Sequence, residues 1–361
     1  MSVRTGSAAV DVRITTRAEL ALRGVALDAP VCRPDGAGPS DDGHVLVDGA
    51  GAALPRNPDS PYHVRDGRVW LGDEDTGLTL RTVDRPRFYD LTTADGTPYE
   101  HIARLHGADV LATTVVQTCV RYAEADRCRF CTIEESLRAG ATVAAKTPEQ
   151  LAEVAEAAVR LDGVRQMVMT TGTTTGPDRG ARHLVRCVRA VRRAVPGLPV
   201  QVQCEPPGDL SWLRALHDAG ATAVGIHVES LDEEVRRRWM PGKSTVPLSE
   251  YRAAWDEAVR VFGANRVSTY LLVGLGEDPD ELIEGAGGLI ERGVYPFVVP
   301  FRPMGGTLAA RDGVPAPDAA LLRYVTEGVA RRLRAAGMRG ADQRAGCAAC
   351  GACSVLPAAG G

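Results

Sequence analysis

Residues Thr113–Leu137 read TTVVQTCVRYAEADRCRFCTIEESL. Cys119, Cys128 and Cys131 crowd the end of an apolar run, just ahead of a segment with helical character. They are metal ligands, a redox pair with a bystander, or ordinary buried thiols, and the surrounding chain has to discriminate. From about residue 110 six short strand-like runs follow one another: VLATTVVQTC, RQMVMTTG, PVQVQCEP, AVGIHVES, VSTYLLVGLGE and YPFVVPFRP. Helix-period segments such as TPEQLAEVAEAAVRL, ARHLVRCVRAVRRAV, LSWLRALHDAG and PDELIEGAGGLIERG lie between them. Thr147 is a candidate N-cap with Pro148 at the first helical position, and Gly220 and Gly293 are candidate stops. Alternating β and α units imply a parallel sheet with right-handed crossovers. The spacing, roughly 32 residues per unit, predicts an α/β fold of the partial TIM-like (β/α)6 kind. A doubly wound open sheet is the alternative, although no GxGxxG follows any strand. In a barrel the functional groups sit where strands end, which puts the opening cysteines at the mouth.

The remaining chain narrows the class. Its 361 residues can bury a substantial core, as one large domain or a large and a small one. A net charge of −4, with charges interspersed, argues against a nucleic-acid partner or an anionic membrane surface. No apolar run approaches a membrane span, and MSVRTGSAAVDVRITT lacks the apolar region of a signal peptide, so a soluble cytoplasmic protein is expected. In a reducing compartment nine cysteines do not read as a disulfide framework, and an odd total cannot pair completely. Cys347, Cys350 and Cys353 form a second triplet, while Cys32, Cys187 and Cys204 stand alone. Two triplets are a metal or cluster signal. Residues 1–105 read as a β-rich N-terminal extension, 106–305 as the core barrel, and 306–361 as a helix and a Cys-rich segment. His63, His101 and His106 in the first part read as structural or surface residues.

Thiolates are soft ligands for zinc, copper(I) or iron–sulfur clusters. A structural zinc takes four protein ligands, and no fourth Cys or His follows the first triplet at finger spacing. A cubane cluster held by three cysteines leaves one iron open to a small molecule. Period-two alternation points Gly225, His227 and Glu229 into the lumen, with Val224, Ile226 and Val228 toward the helices. The same rule turns Gln201, Gln203 and Glu205 inward and Cys204 outward, and Cys187 falls inside a helix.

The loop CRFC after the first strand resembles the radical SAM superfamily, whose CxxxCxΦC motif follows the first strand of a partial (β/α)6 barrel. Here eight residues rather than three separate the first two cysteines. The resemblance implies that Cys119, Cys128 and Cys131 hold a [4Fe-4S] cluster and that Phe130 lies near the adenine of S-adenosylmethionine. MTTGTTTG stands where a Gly-Gly-Glu-type segment binds the methionine amino group, which implies roles for Thr170, Thr171, Gly172 and Thr173. AVGIHVES, WMPGKS and VGLGE resemble the biotin and lipoyl synthase branch, implying SAM or substrate contacts for Glu229, Gly274 and Gly276, with Glu277 opening the next helix. VPFRP implies that Arg302 meets an anionic substrate or the SAM carboxylate. The blocks TTVVQTCVRY, MVMTTGT, CEPP, VYPFVVPF and AGCAACGACS are similar to radical SAM proteins of bacterial nitrilase-associated gene clusters. Within this frame, Cys347-x2-Cys350-x2-Cys353 has ferredoxin-like spacing and implies an auxiliary iron–sulfur cluster, for sulfur donation, electron relay or substrate anchoring. Redox-sensitive thiols in a tail or an incomplete zinc knuckle are its alternatives. The implied protein is an enzyme acting on a small-molecule substrate, with an electron donor such as flavodoxin or ferredoxin. A structural zinc protein and a thiol oxidoreductase using Cys128 and Cys131 are the competing classes. No catalytic side chain beyond the cluster ligands is singled out.

Overall fold

Two Asp-Gly pairs set the first sheet. Asp48-Gly49 and Asp66-Gly67 hold positive φ at both positions, the geometry of the hairpin turn that matches strand twist. They fold β1 (His44–Val47) onto β2 (Ala50–Ala53) and β3 (Tyr62–Arg65) onto β4 (Arg68–Leu71). With β5 (Glu74–Thr82) these give an antiparallel sheet of order β2-β1-β5-β4-β3. The computed structural model describes residues 5–27 and 44–360, with only the backbone for residues 5–12, and Cys32 lies outside the described residues.

The β-rich reading of the N-terminal part omits a helix, Thr5–Arg23. Its apolar residues serve two cores. Leu20 packs with Val45, Val69 and Leu78 of the first sheet, whereas Ile14, Ala18 and Ala21 join the main core. Splitting the apolar set between two faces leaves no single stripe in the sequence for a periodicity argument to find.

The main sheet runs in sequence order through β6 (Arg104–His106), β7 (Val110–Thr114), β8 (Gln166–Thr170), β9 (Val200–Gln203), β10 (Ala223–Gly225), β11 (Val267–Val273) and β12 (Val294–Pro300). β6 is antiparallel to β7, and every later pair is parallel. The ends, β6 and β12, do not pair with each other, so this is the expected partial barrel. All six expected parallel strands are present. β10 is shorter than its apolar run, because the chain turns at Glu229, a non-glycine residue at φ +62° that still bridges Leu271.

The crossover helices bury the faces their periodicity predicts. On Pro148–Asp162, Leu151, Val154 and Ala158 are buried; Leu184, Val188 and Val191 are buried on the adjacent helix Ala181–Ala194. Each fully buried leucine or valine contributes about 1.5–3 kcal/mol of hydrophobic stabilisation. The first of these helices starts where expected. Thr147 Oγ1 accepts from the Gln150 N–H at 3.1 Å, and Gln150 Oε1 accepts from the Thr147 N–H at 2.9 Å. On Pro279–Glu291 the N-cap is Asp278, not the preceding Glu277. The helix Ala319–Ala335 then packs over β11 and β12 and touches Thr5–Arg23.

Thr147→Ala removes one half of the capping pair and should lower unfolding stability by about 1 kcal/mol in urea titration, with secondary structure retained. His106 stacks on His44 with ring centroids 4.7 Å apart, and burial pushes its pKa down to about 4. Because the unfolded chain binds that proton below about pH 6.5, stability should fall as pH drops from about 6.5 toward 4. His106→Gln should flatten this slope by about 1 kcal/mol per pH unit, read from denaturation midpoints across that range.

Candidate metal centre at the barrel mouth

Where β7 ends, a buried lysine organises the loop that follows. Lys146 Nζ donates to the Thr114 carbonyl at 2.7 Å, to Gln117 Oε1 at 3.0 Å and to Thr142 Oγ1 at 2.7 Å. Burial pushes this amine down to about 7. Gln117 passes the constraint on by donating to the Ile133 carbonyl at 2.6 Å, beyond Cys131. The eight-residue gap folds as a turn, with the Asp126 and Arg127 N–H groups donating to the Ala123 carbonyl. That turn docks on the segment Trp239–Ser244. The Gly242 N–H donates to the Asp126 carbonyl at 2.9 Å, and a Cβ on Gly242 would stand only 2.7 Å from that oxygen. The helix expected after Cys131 shrinks to Glu135–Arg138, because the chain must first return beneath the loop.

The same close packing explains Gly172. A Cβ there would collide with the Thr118 carbonyl, and its N–H donates to the Val116 carbonyl at 2.9 Å. Val120 N–H in turn donates to the Thr173 carbonyl. Thr171, Gly172 and Thr173 are thereby laid against the cysteine loop.

Cys119, Cys128 and Cys131 line one cavity of about 170 Å³, together with Phe130, Thr170–Thr173, Gln203, Glu205, His227 and Glu229. All three thiols are unpaired. Burial pushes Cys128 far up against the opposing Lys243 cation, with Cys131, Glu229 and Glu205 adding to it; burial pushes Cys131 up to about 11, with Cys119 adding to it. Among the described residues no three His, Cys, Asp or Glu side chains converge on a single-ion position. A four-coordinate zinc holds its sulfurs about 3.8 Å apart, whereas a polynuclear cluster spreads them. Three soft donors bordering one cavity are the donor chemistry an iron–sulfur cluster takes.

Two ion pairs brace the cavity wall. Lys243 donates to both Glu229 oxygens, at 2.7 and 2.5 Å, and each side chain is close to 90% buried. Burial disfavours the Lys243 cation, but Glu229 together with the other nearby acidic groups outweighs it and holds the amine above its ordinary range. Arg121 grips Glu205 at 3.0 and 3.1 Å and also reaches the Gly242 carbonyl; Thr173 Oγ1 donates to Glu205 at 2.8 Å. Arg121 and Lys243 were not singled out in the sequence, although each lies inside a segment that was, the cysteine gap and WMPGKS. His227 stacks on Tyr270 at 4.1 Å, and its Nδ1 accepts the Tyr270 N–H at 3.2 Å. Burial, with Lys243 adding to it, pushes its pKa down to about 3. The ring is neutral, and its buried Nε2–H has no partner.

Three expected cofactor residues lie elsewhere. Phe130 stacks on Trp239 at 6.5 Å, and behind Trp239 a separate cavity is lined by Gly274, Gly276 and Glu277. Both glycines are at φ near +105°, packed against Pro317 and Arg238. Arg302 does not reach the first triplet; it donates to the Ala53 carbonyl at 2.9 Å and lies near Cys353. Cys187 and Cys204 are buried, as expected, although Cys204 also borders the mouth cavity.

The second triplet comes back into the lumen. Gln166 Oε1 accepts the Gly346 N–H at 2.9 Å, Gln201 Oε1 accepts the Cys347 N–H at 3.3 Å, and Gln203 Nε2 donates to Cys347 Sγ at 3.2 Å. Gly346 is at φ +108°, and a Cβ there would occupy the place of the Gln201 amide. Cys347, Cys350 and Cys353 all lie near Tyr270 and are unpaired. Burial pushes Cys350 up to about 12 and Cys353 up to about 11, with neighbouring thiols adding to both.

A family model described as the radical SAM superfamily matches residues 124–286, which include Cys128 and Cys131. Bacteriochlorophyllide c C-7(1)-hydroxylase of Chlorobaculum limnaeum is 26% identical over 256 residues, covering 66% of this chain and 63% of the hydroxylase. A lipoyl synthase of Thermus thermophilus is 30% identical over 175 residues, 46% of this chain and 50% of the synthase. The chain thus spans between half and two thirds of the length of these relatives. Among solved structures, methylornithine synthase superposes with a TM-score of 0.50 at 18% identity, over 70% of this chain and 69% of that one, a likeness of fold.

Removing one partner of a buried ion pair strands the other charge. Lys243→Met should therefore destabilise the protein by about 3–5 kcal/mol in chemical denaturation, and adding Glu229→Gln should recover a substantial part. Equal losses in the single and double variants would show that the pair is not buried as described.

Proposed function

We propose that this chain, which belongs to the radical SAM superfamily, is an enzyme that cleaves S-adenosylmethionine reductively at a [4Fe-4S] cluster held by Cys119, Cys128 and Cys131. The observation that carries the reading is the placement of these three unpaired thiols around one cavity at the C-terminal ends of parallel strands. When bound, the cluster supplies the electron that splits S-adenosylmethionine into methionine and a 5′-deoxyadenosyl radical, which abstracts hydrogen from a small-molecule substrate. The protein's own part is to bind, orient and exclude water. Phe130 offers an aromatic face on the cavity wall for the adenine. Thr171, Gly172 and Thr173 offer backbone groups beside Cys119 for the amino-acid end of the cosubstrate. Glu229, held by Lys243, offers a fixed carboxylate to its ribose or to the substrate. Gly274 and Gly276 act from behind Trp239 by shaping the end of β11.

Cys347, Cys350 and Cys353 are proposed to hold an auxiliary iron–sulfur cluster facing the same lumen, serving sulfur insertion or redox. Their hydrogen bonds to β8 and β9 side chains support this over a loose tail. Arg302 is reassigned from the cosubstrate to the surroundings of this second site. The division into an N-terminal part at 1–105, a core barrel at 106–305 and a C-terminal part at 306–361 is supported by the two sheets, and Ala53 of the first sheet bonds Ala352 of the last part. A reduced flavodoxin or ferredoxin is the proposed electron donor, and unpaired cysteines suit a reducing, cytoplasmic setting. No helix among the described residues is long and apolar enough to cross a membrane.

Anaerobic reconstitution tests both sites. Wild type should bind two clusters' worth of iron and sulfide, and replacing either triplet with alanine should leave one. Cys119→Ala, Cys128→Ala and Cys131→Ala should each abolish 5′-deoxyadenosine formation under dithionite. Retained formation in all three would sink the proposal.

A further inference from the structure

Two glutamine amides inside the lumen, Gln201 and Gln203, have an orientation that can be deduced. The Cys347 N–H is a donor only, so the Gln201 atom facing it at 3.3 Å is the oxygen. That same oxygen faces Gln203 at 2.9 Å, so Gln203 must present its nitrogen there. The second N–H of that nitrogen then points at Cys347 Sγ, 3.2 Å away. Gln203 Oε1 is taken by the Thr170 hydroxyl at 2.7 Å, which completes the side chain's hydrogen bonding and locks it. Gln201, fully buried, spends its own nitrogen on Ser268 Oγ at 3.2 Å. The Tyr270 ring lies beside the same triplet and turns its hydroxyl toward Cys347. Tyr270 is fixed in turn between His227 and Phe297, at 4.1 and 5.4 Å between ring centroids.

Both side chains also reach the mouth. Gln203 borders the cavity of the first triplet, and Tyr270 stacks on His227, which lines it. Of the second triplet, Cys347 is the cysteine to which both chains of contacts lead. From this geometry we infer that Gln203, through its hydrogen bond, and Tyr270, from beside the sulfur, are positioning residues that hold Cys347 as a thiolate ligand of the second cluster and raise its reduction potential. Hydrogen bonds to a ligand sulfur stabilise the state with more negative charge, which is the reduced one. The inference rests on the reading of Cys347, Cys350 and Cys353 as cluster ligands.

The test uses the full chain carrying Cys119→Ala, Cys128→Ala and Cys131→Ala, so that only the second site can bind iron. Iron and sulfide content, the electron paramagnetic resonance spectrum of the reduced state and the midpoint potential are measured in this parent. The same is done after adding Gln203→Glu, Gln203→Leu or Tyr270→Phe. Gln203→Glu keeps the shape and removes both N–H donors. The expected result is retained iron with a potential shifted to more negative values, together with an altered spectrum, in Tyr270→Phe and in at least one Gln203 variant. Unchanged potentials in all variants that keep their iron would overturn this inference alone. A parent that binds no iron would overturn the second cluster itself, and this inference with it.

Discussion

A primary amide buried in a barrel lumen must find partners for its oxygen and both N–H groups, and Gln201 meets that demand from the far end of the chain. It is fully buried, and its oxygen is met by the Cys347 N–H. Gln203 gives that oxygen one donor and the Cys347 N–H a second, so the C-terminal segment completes the amide's bonding inside the lumen. Gly346 follows from this: only a residue without Cβ lets the backbone come up against that amide. The N-terminal sheet then depends on the segment. The Ala53 N–H donates to the Ala352 carbonyl at 2.7 Å, and Ala53's own carbonyl accepts from Arg302. The two ends of the chain meet over the lumen through one short run of small residues.

The mouth is built on a different balance. Its carboxylates, Glu205 and Glu229, are each answered by a cation from a segment that also buttresses the cysteine loop. Arg121 comes from the gap between the first two cysteines and Lys243 from the segment on which that gap docks. The ion pairs therefore hold the loop in place as much as they set the local charge. Glu229 is held at φ +62°, a backbone cost of order 1–3 kcal/mol that a merely structural carboxylate has little reason to carry. His227 complements it as a neutral donor with its Nε2–H unspent.

The two triplets have opposite local logic but one consequence. The first rests on a loop pinned by Lys146, Gln117 and the close approach of Gly172, and its thiols border open space. The second rests on glutamine side chains reaching across from β8 and β9, and its thiols border protein. Burial raises the pKa of Cys128 and Cys131 in the first and of Cys350 and Cys353 in the second, a cost that a bound metal's charge would compensate.

Much of the frame was legible from local patterns. Period two named the inward faces of β9 and β10 correctly, because alternation is a property of the strand itself: Gln201, Gln203 and His227 point into the lumen, Val224 and Ile226 into the helix layer. Thr147 and Pro148 marked a helix start because capping is settled within four residues. The helix Thr5–Arg23 was missed because its apolar residues divide between two cores, which no single periodicity reveals. Gly274, Gly276 and Arg302 were grouped with the first triplet by motif order, whereas the two glycines share a cavity with Trp239 and Arg302 bonds the Ala53 carbonyl of the first sheet. Which residue types carry the chemistry, and which strand ends present them, is written in the sequence, since both depend on neighbours along the chain. That Cys347 meets Gln203, and that Lys243 answers Glu229, was decided only by tertiary structure. Those partners come from distant segments, and only the closing of the barrel brings their charges and hydrogen bonds within reach.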